Sequence, residues 1–116
     1  MSAIHAQLVL AGQVANSADA DNAVATASVA GATGVRHFIL GAVASYSQTV
    51  SAVKTITFKR GATTLLQVRW DFSLGPAVIR LPGVLHGDYG EAVSVELEAS
   101  GTGGTTGSVS LFYAPA

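Results

Sequence analysis

TTLLQVRWDFSLGPAVIRL, residues 63–81, decides the fold. Read with a period of two, Leu66, Val68, Trp70 and Phe72 share one face, and Leu65, Gln67, Arg69 and Asp71 share the other. An extended chain sends successive side chains to opposite sides, so this alternation predicts a half-buried β-strand. Ser73-Leu74-Gly75-Pro76 interrupts it with turn chemistry: proline removes a ladder donor, and glycine admits backbone angles other residues avoid. Ala77–Leu81 then reads as a second strand, closed by Pro82-Gly83.

Working outward, the same punctuation recurs. Towards the N-terminus, Val50–Arg60 alternates, with Ile56 and Phe58 facing in and Thr55, Thr57 and Lys59 facing out. Arg60-Gly61-Ala62 links it to the Trp70 strand as a tight hairpin. Val35–Tyr46 places Arg36, Phe38, Leu40, Ala42, Ala44 and Tyr46 on one face and His37, Ile39, Gly41, Val43 and Ser45 on the other. Large apolar groups on both faces imply a strand covered on both sides, by the centre of a sandwich or by another subunit. Gly41 marks a bulge or a close backbone approach. Ala23–Ala30 lacks a 3.6-residue stripe and reads as a strand. Ala6–Val14 reads as a short strand or the start of an arm, so residues 1–30 form an N-terminal arm or edge strand.

Towards the C-terminus, Pro82–Glu91 reads as a long loop. Ala92–Ser100 alternates cleanly, with Val93, Val95, Leu97 and Ala99 inward and Ser94, Glu96, Glu98 and Ser100 outward. After the Gly101–Gly107 loop, Ser108–Ala114 is the last strand, with Val109, Leu111 and Tyr113 opposite Phe112. Seven to eight short antiparallel strands at this spacing predict one all-β domain over residues 1–116, a β-sandwich of jelly-roll type.

Composition adds a constraint. Charged residues make up 11% of the chain, against about 25% in ordinary soluble domains, while 49% is apolar. So little charge for so much apolar area points to a subunit covered in part by copies of itself or by a larger assembly. A net charge of −1 argues against a nucleic-acid partner. The charges are also sorted: residues 1–35 carry only Asp19 and Asp21, residues 36–80 hold all six cations and Asp71, and residues 81–116 hold four acids. Such segregation pairs neighbouring strands or steers subunits together. Cysteine is absent, so no disulfide or thiolate site enters. No apolar run approaches the ~20 residues of a membrane helix. The N-terminus lacks the basic start of a secretion signal, which predicts retention on the cytoplasmic side or release by lysis.

Chemistry-bearing groups are few. His86, Asp88 and Glu91 share one stretch, but without metal-ligand spacing they read as a solvated polar loop. His37, on a strand, reads as a packed or interfacial histidine. Glu96 and Glu98 project the same way, as a glycoside hydrolase's acid–base pair would, or as partners for Lys or Arg on a neighbouring strand. Trp70, Tyr89 and Tyr113 offer rings for a sugar to stack on. Gly101–Gly107 lacks the GK[ST] ending of a phosphate loop, and no serine sits in a nucleophile elbow. The expectation is therefore a non-enzymatic protein without a cofactor or metal.

DFSLGPAVIRLPGVLHGDYGEAVSVELEASGTGGTTGSVSLFYA, residues 71–114, resembles the C-terminal part of small structural proteins of tailed phages. The shared features are the DFSLGP turn, the Pro-Gly loop, the AVSVELEASGTGG strand and loop, and the GSVSLFYA final strand. Such proteins are similar to head decoration, or cement, proteins, which sit as trimers on the capsid and stabilise it. The resemblance implies a virion location, a homotrimer, contact with the major capsid protein and an N-terminal arm. The expected interface residues are Phe38, Ile39, Leu40 and Val43 on the strand, with Val84, Leu85 and Tyr89 as loop contacts. The alternative is a tail or fibre module that binds host glycan.

Overall fold

The computed structural model describes residues 12–115, without the side chains of residues 82–84. Nine strands follow one another: β1 Gln13–Asn16, β2 Ala20–Asp21, β3 Ala25–Val29, β4 His37–Tyr46, β5 Val53–Arg60, β6 Thr63–Asp71, β7 Ala77–His86, β8 Val93–Leu97 and β9 Thr106–Pro115. They form two antiparallel sheets, ordered β1-β9-β4-β7 and β3-β8-β5-β6, with β2 also paired to β9. Because β1 and β2 both pair β9, they act as one interrupted strand. The remaining order, first-eighth-third-sixth against second-seventh-fourth-fifth, is that of a jelly roll. The expected all-β sandwich is the observed fold.

The core lies between the sheets. Ile56, Phe58, Val93, Val95 and Leu97 of one sheet meet Ile39, Ala42, Ala44, Val109 and Leu111 of the other, all essentially without exposure. Alternation explains these positions in β5, β8 and β9. Leu66, Val68 and Trp70 pack inward as their spacing predicts, but β6 is an edge strand and buries them only partly. The Trp70 indole N–H donates to the Gly75 carbonyl at 3.0 Å. Asp71 caps a 3-10 turn, Phe72–Leu74, by accepting from the Ser73 amide and hydroxyl. Those bonds hold its carboxyl below the ordinary carboxylate range.

Three expectations need correction. In β4 neither face keeps one parity. A register shift between Ile39 and Gly41 puts His37 and Ile39 inward before it and Ala42 and Ala44 inward after it. Leu40 and Val43, of opposite parity in the sequence, therefore share the outer face. Second, residues 82–86 are strand, not loop. Proline is tolerated there because β7 is a sheet edge with no partner on its far side among the described residues. Ile39 pairs Leu85 and Gly41 pairs Arg80, so residues 81–84 oppose the single residue Leu40. Third, Ser100 is buried, beyond the end of β8. Its hydroxyl lies within hydrogen-bond distance of the Thr102 and Thr105 carbonyls and closes the glycine-rich loop.

At one end of the sandwich the Tyr46 hydroxyl donates to the Glu98 carbonyl, and its ring meets Phe72 edge-on at 4.8 Å. Burial, and then the Glu98 carboxylate, push this phenol from 10 up to about 12. The folded state thus favours the neutral form. The stability it lends is complete below pH 10 and is lost as pH rises towards about 12. Alkaline unfolding monitored by circular dichroism should decline across that window, and Tyr46→Phe should flatten the decline.

Candidate interface

The outer faces of the two sheets differ in kind. On the four-stranded sheet the cross-strand rows are Thr26–Glu96–Thr57–Gln67 and Ser28–Ser94–Lys59–Thr64, with Thr55 beside Arg69. Every one of these side chains is polar. Lys59 pairs with Glu96 at 2.7 Å, and Lys54 pairs with Glu98 at 3.6 Å. The Thr55 amide also donates to Glu98. The two glutamates are thus occupied by lysines of the neighbouring strand.

On the five-stranded sheet the rows are Val14–Phe112–Gly41–Arg80 and Asn16–Ser110–Val43–Val78. Val14 is 51% exposed and Val78 63%. Arg80 is the one charged residue in these rows. Gly41 has no side chain, which leaves a shallow hollow lined by Leu40, Val43, Val78, Arg80 and Phe112. The chain approaches closely here: a Cβ on Gly41 would lie 2.1 Å from the Ile79 carbonyl oxygen.

The expected interface residues separate into groups. Leu40 and Val43 line the hollow. Ile39 is 0% exposed and belongs to the core, so it offers nothing to a partner. Leu85 is a half-buried strand residue packed against the core, opposite Ile39, and not a loop contact. The Val84 side chain lies outside the described residues. The Phe38 ring meets His86 at a tilt of 53°, with centroids 5.3 Å apart, and the Arg36 guanidinium sits between the Phe38 and Tyr89 rings at 4.8 and 5.1 Å. Tyr89, 62% exposed, is thereby tied to the same edge as Phe38. Sequence reading missed Val14, Val78, Arg80 and Phe112. Their common face follows only from the pairing of β7 and β9 with a bulged β4.

The other candidates disperse. Asp88 and Glu91 both approach Arg60, at 3.7 and 3.8 Å. Among the described residues no three His, Cys, Asp or Glu side chains could hold a metal ion. His37 is buried, with Nε2 at 3.1 Å from the Ala30 carbonyl and its ring edge-on to Tyr113. His5 lies outside the described residues. Of the three rings considered for sugar stacking, Trp70 lies at the opposite end of the sandwich from Tyr113. Trp70 pairs with Lys54, whose ammonium reaches Glu98 beside Tyr46. Tyr113 pairs with Ile39, seven residues from Tyr46 along β4, roughly 23 Å in a strand.

No helix of the described residues is long and apolar enough to cross a membrane. No family model matches the chain, and no curated protein matches it. Among solved structures, the chain is similar to the crystal structure of CapF with the inhibitor 3-isopropenyl-tropolone, at TM-score 0.26 and 12% identity. That likeness covers 87% of this chain and 28% of the other, and it is too loose to carry an argument.

Proposed function

We propose that this chain is a non-enzymatic structural subunit that assembles with copies of itself through the outer face of the β1-β9-β4-β7 sheet. The setting that fits the phage resemblance of residues 71–114 is a trimer decorating a capsid, with the major capsid protein as its further partner and the virion as its location. One observation carries the reading: of two sheets in one sandwich, one outer face is mainly polar and laced with ion pairs, with Val24 and Val53 exposed at its margin, while the other presents Val14, Leu40, Val43, Val78 and Phe112 around one cation. Contiguous apolar surface with a lone arginine is the composition of an interface core rather than of a solvated sheet.

Sedimentation velocity over a concentration series tests it. The unaltered protein should sediment as an oligomer, and Val78→Asp, which puts a charged group into the apolar contact, should weaken association about a hundred-fold or more. A monomer at every concentration would end this reading. Binding to expanded empty heads, followed by co-sedimentation, tests the capsid setting separately.

A further inference from the structure

The charged residues of the described chain can be assigned one by one. Lys54, Lys59 and Arg60 are paired with Glu96, Glu98, Asp88 and Glu91. Arg36 lies between two rings. Asp71 caps its turn, and Asp21 accepts from the Gly104 amide at 2.8 Å. Among the described residues this leaves Asp19 as the carboxylate with no intramolecular partner, and Arg69 and Arg80 as the cations with none. Arg69 stands on the polar face, while Arg80 lines the apolar hollow.

Asp19 also occupies an unusual place. Between β1 and β2 the pairing with β9 lapses. The Ser17 hydroxyl accepts from the Val109 amide, and the Ser17 amide donates to the Val109 carbonyl. Ala18 and Asp19 then stand exposed outside the ladder before β2 resumes at Ala20. The sheet therefore has a small protrusion carrying a free carboxylate on one edge. Near its opposite edge, three strand spacings or ~14 Å across the sheet and about four residues further along β9, it has a hollow carrying a free guanidinium.

We propose that these two features bind each other in successive copies: the Ala18–Asp19 protrusion of one subunit seats in the Gly41 hollow of the next, its carboxylate on Arg80. The contact rests on the assembly reading above and names its two sides. Covering the hollow strips water from Arg80, and a desolvated guanidinium needs an anionic partner. Alanine beside the aspartate leaves room for close approach. A two-fold contact centred on the hollow would instead set one Arg80 against another. Repeated head-to-tail, the contact closes into a ring when the rotation per subunit allows; made reciprocally about a two-fold axis between the two features, it closes a dimer.

Charge reversal tests it. Both residues are exposed, and circular dichroism should report unchanged folds. Arg80→Glu and Asp19→Arg should each weaken association about a hundred-fold by sedimentation velocity, and the double variant should recover most of the loss. If both single variants assemble like the unaltered protein, or if the double variant stays as dissociated as the singles, the contact is overturned while the assembly reading stands. If the unaltered protein is itself monomeric throughout, the assembly reading falls and takes this contact with it.

Discussion

Gly41→Val is expected to leave almost no folded protein. The residue sits at φ 156°, where a side chain is strained, and its Cβ would meet the Ile79 carbonyl oxygen of β7 at 2.1 Å. That oxygen belongs to the backbone of a paired strand and cannot turn aside as a side chain could. Relief requires β4 and β7 to separate, which breaks the pairing from Arg80 to Ala77. Strain at a special backbone angle, together with a lost ladder, belongs among the mechanisms that cost more than about 4 kcal/mol. A small domain has a total stability of about 5–15 kcal/mol. Urea denaturation followed by tryptophan fluorescence should show a collapsed or missing transition, with Gly41→Ala affected nearly as much. Gly103→Ala is the control. Nothing lies within 4 Å of its added Cβ, and its transition should shift by less than about 0.5 kcal/mol. A folded Gly41→Val would mean that the bulge is not what sets the faces of β4.

That bulge also marks where sequence reading stops. In β5, β8 and β9 one side of the alternation is apolar and the other polar, so Phe58, Val95 and Leu111 could be placed inward from residue order alone. In β4 both sides are apolar, and the face of each residue depends on one inserted position whose effect is visible only against β7 and β9. In residue order alone, the double-faced greasiness of residues 35–46 implies cover from both sides. The structure divides it instead: Ile39, Ala42 and Ala44 fill the core, while Leu40 and Val43 form the floor of the hollow. The strand beyond Pro82 was hidden for a related reason. Proline signals a stop in a central strand but not at an edge, and the sequence does not say which strands are edges. Glu96 and Glu98 were ambiguous until β5 lay beside β8, because partner identity is a property of register.

Phe58→Ala should produce the largest loss available from simple truncation, and comparing it with Val78→Asp separates fold from assembly. Phe58 is fully buried on β5, an interior strand, between Leu66 of β6 and Val95 of β8. Removing a buried aromatic costs about 3–5 kcal/mol, because the surrounding strands cannot collapse onto the cavity. The sandwich is complete in one copy. Its accessible surface of 6096 Å² is close to the roughly 5,900 Å² expected for a folded monomer of its mass. The low charge content is therefore no sign of an unfinished core. Val14, Leu40, Val43, Val78 and Phe112 gather on one outer face, and neighbours that cover this face add to a fold that already stands. Phe58→Ala should accordingly lower the urea midpoint even in dilute solution, where association contributes nothing. Val78→Asp should leave that dilute midpoint within about 0.5 kcal/mol of the parent and abolish only the rise in stability with protein concentration that mass action gives an associating chain. A loss below about 1 kcal/mol for Phe58→Ala, or a Val78→Asp protein already unfolded when dilute, would show that core and contact face are not the separate surfaces described here.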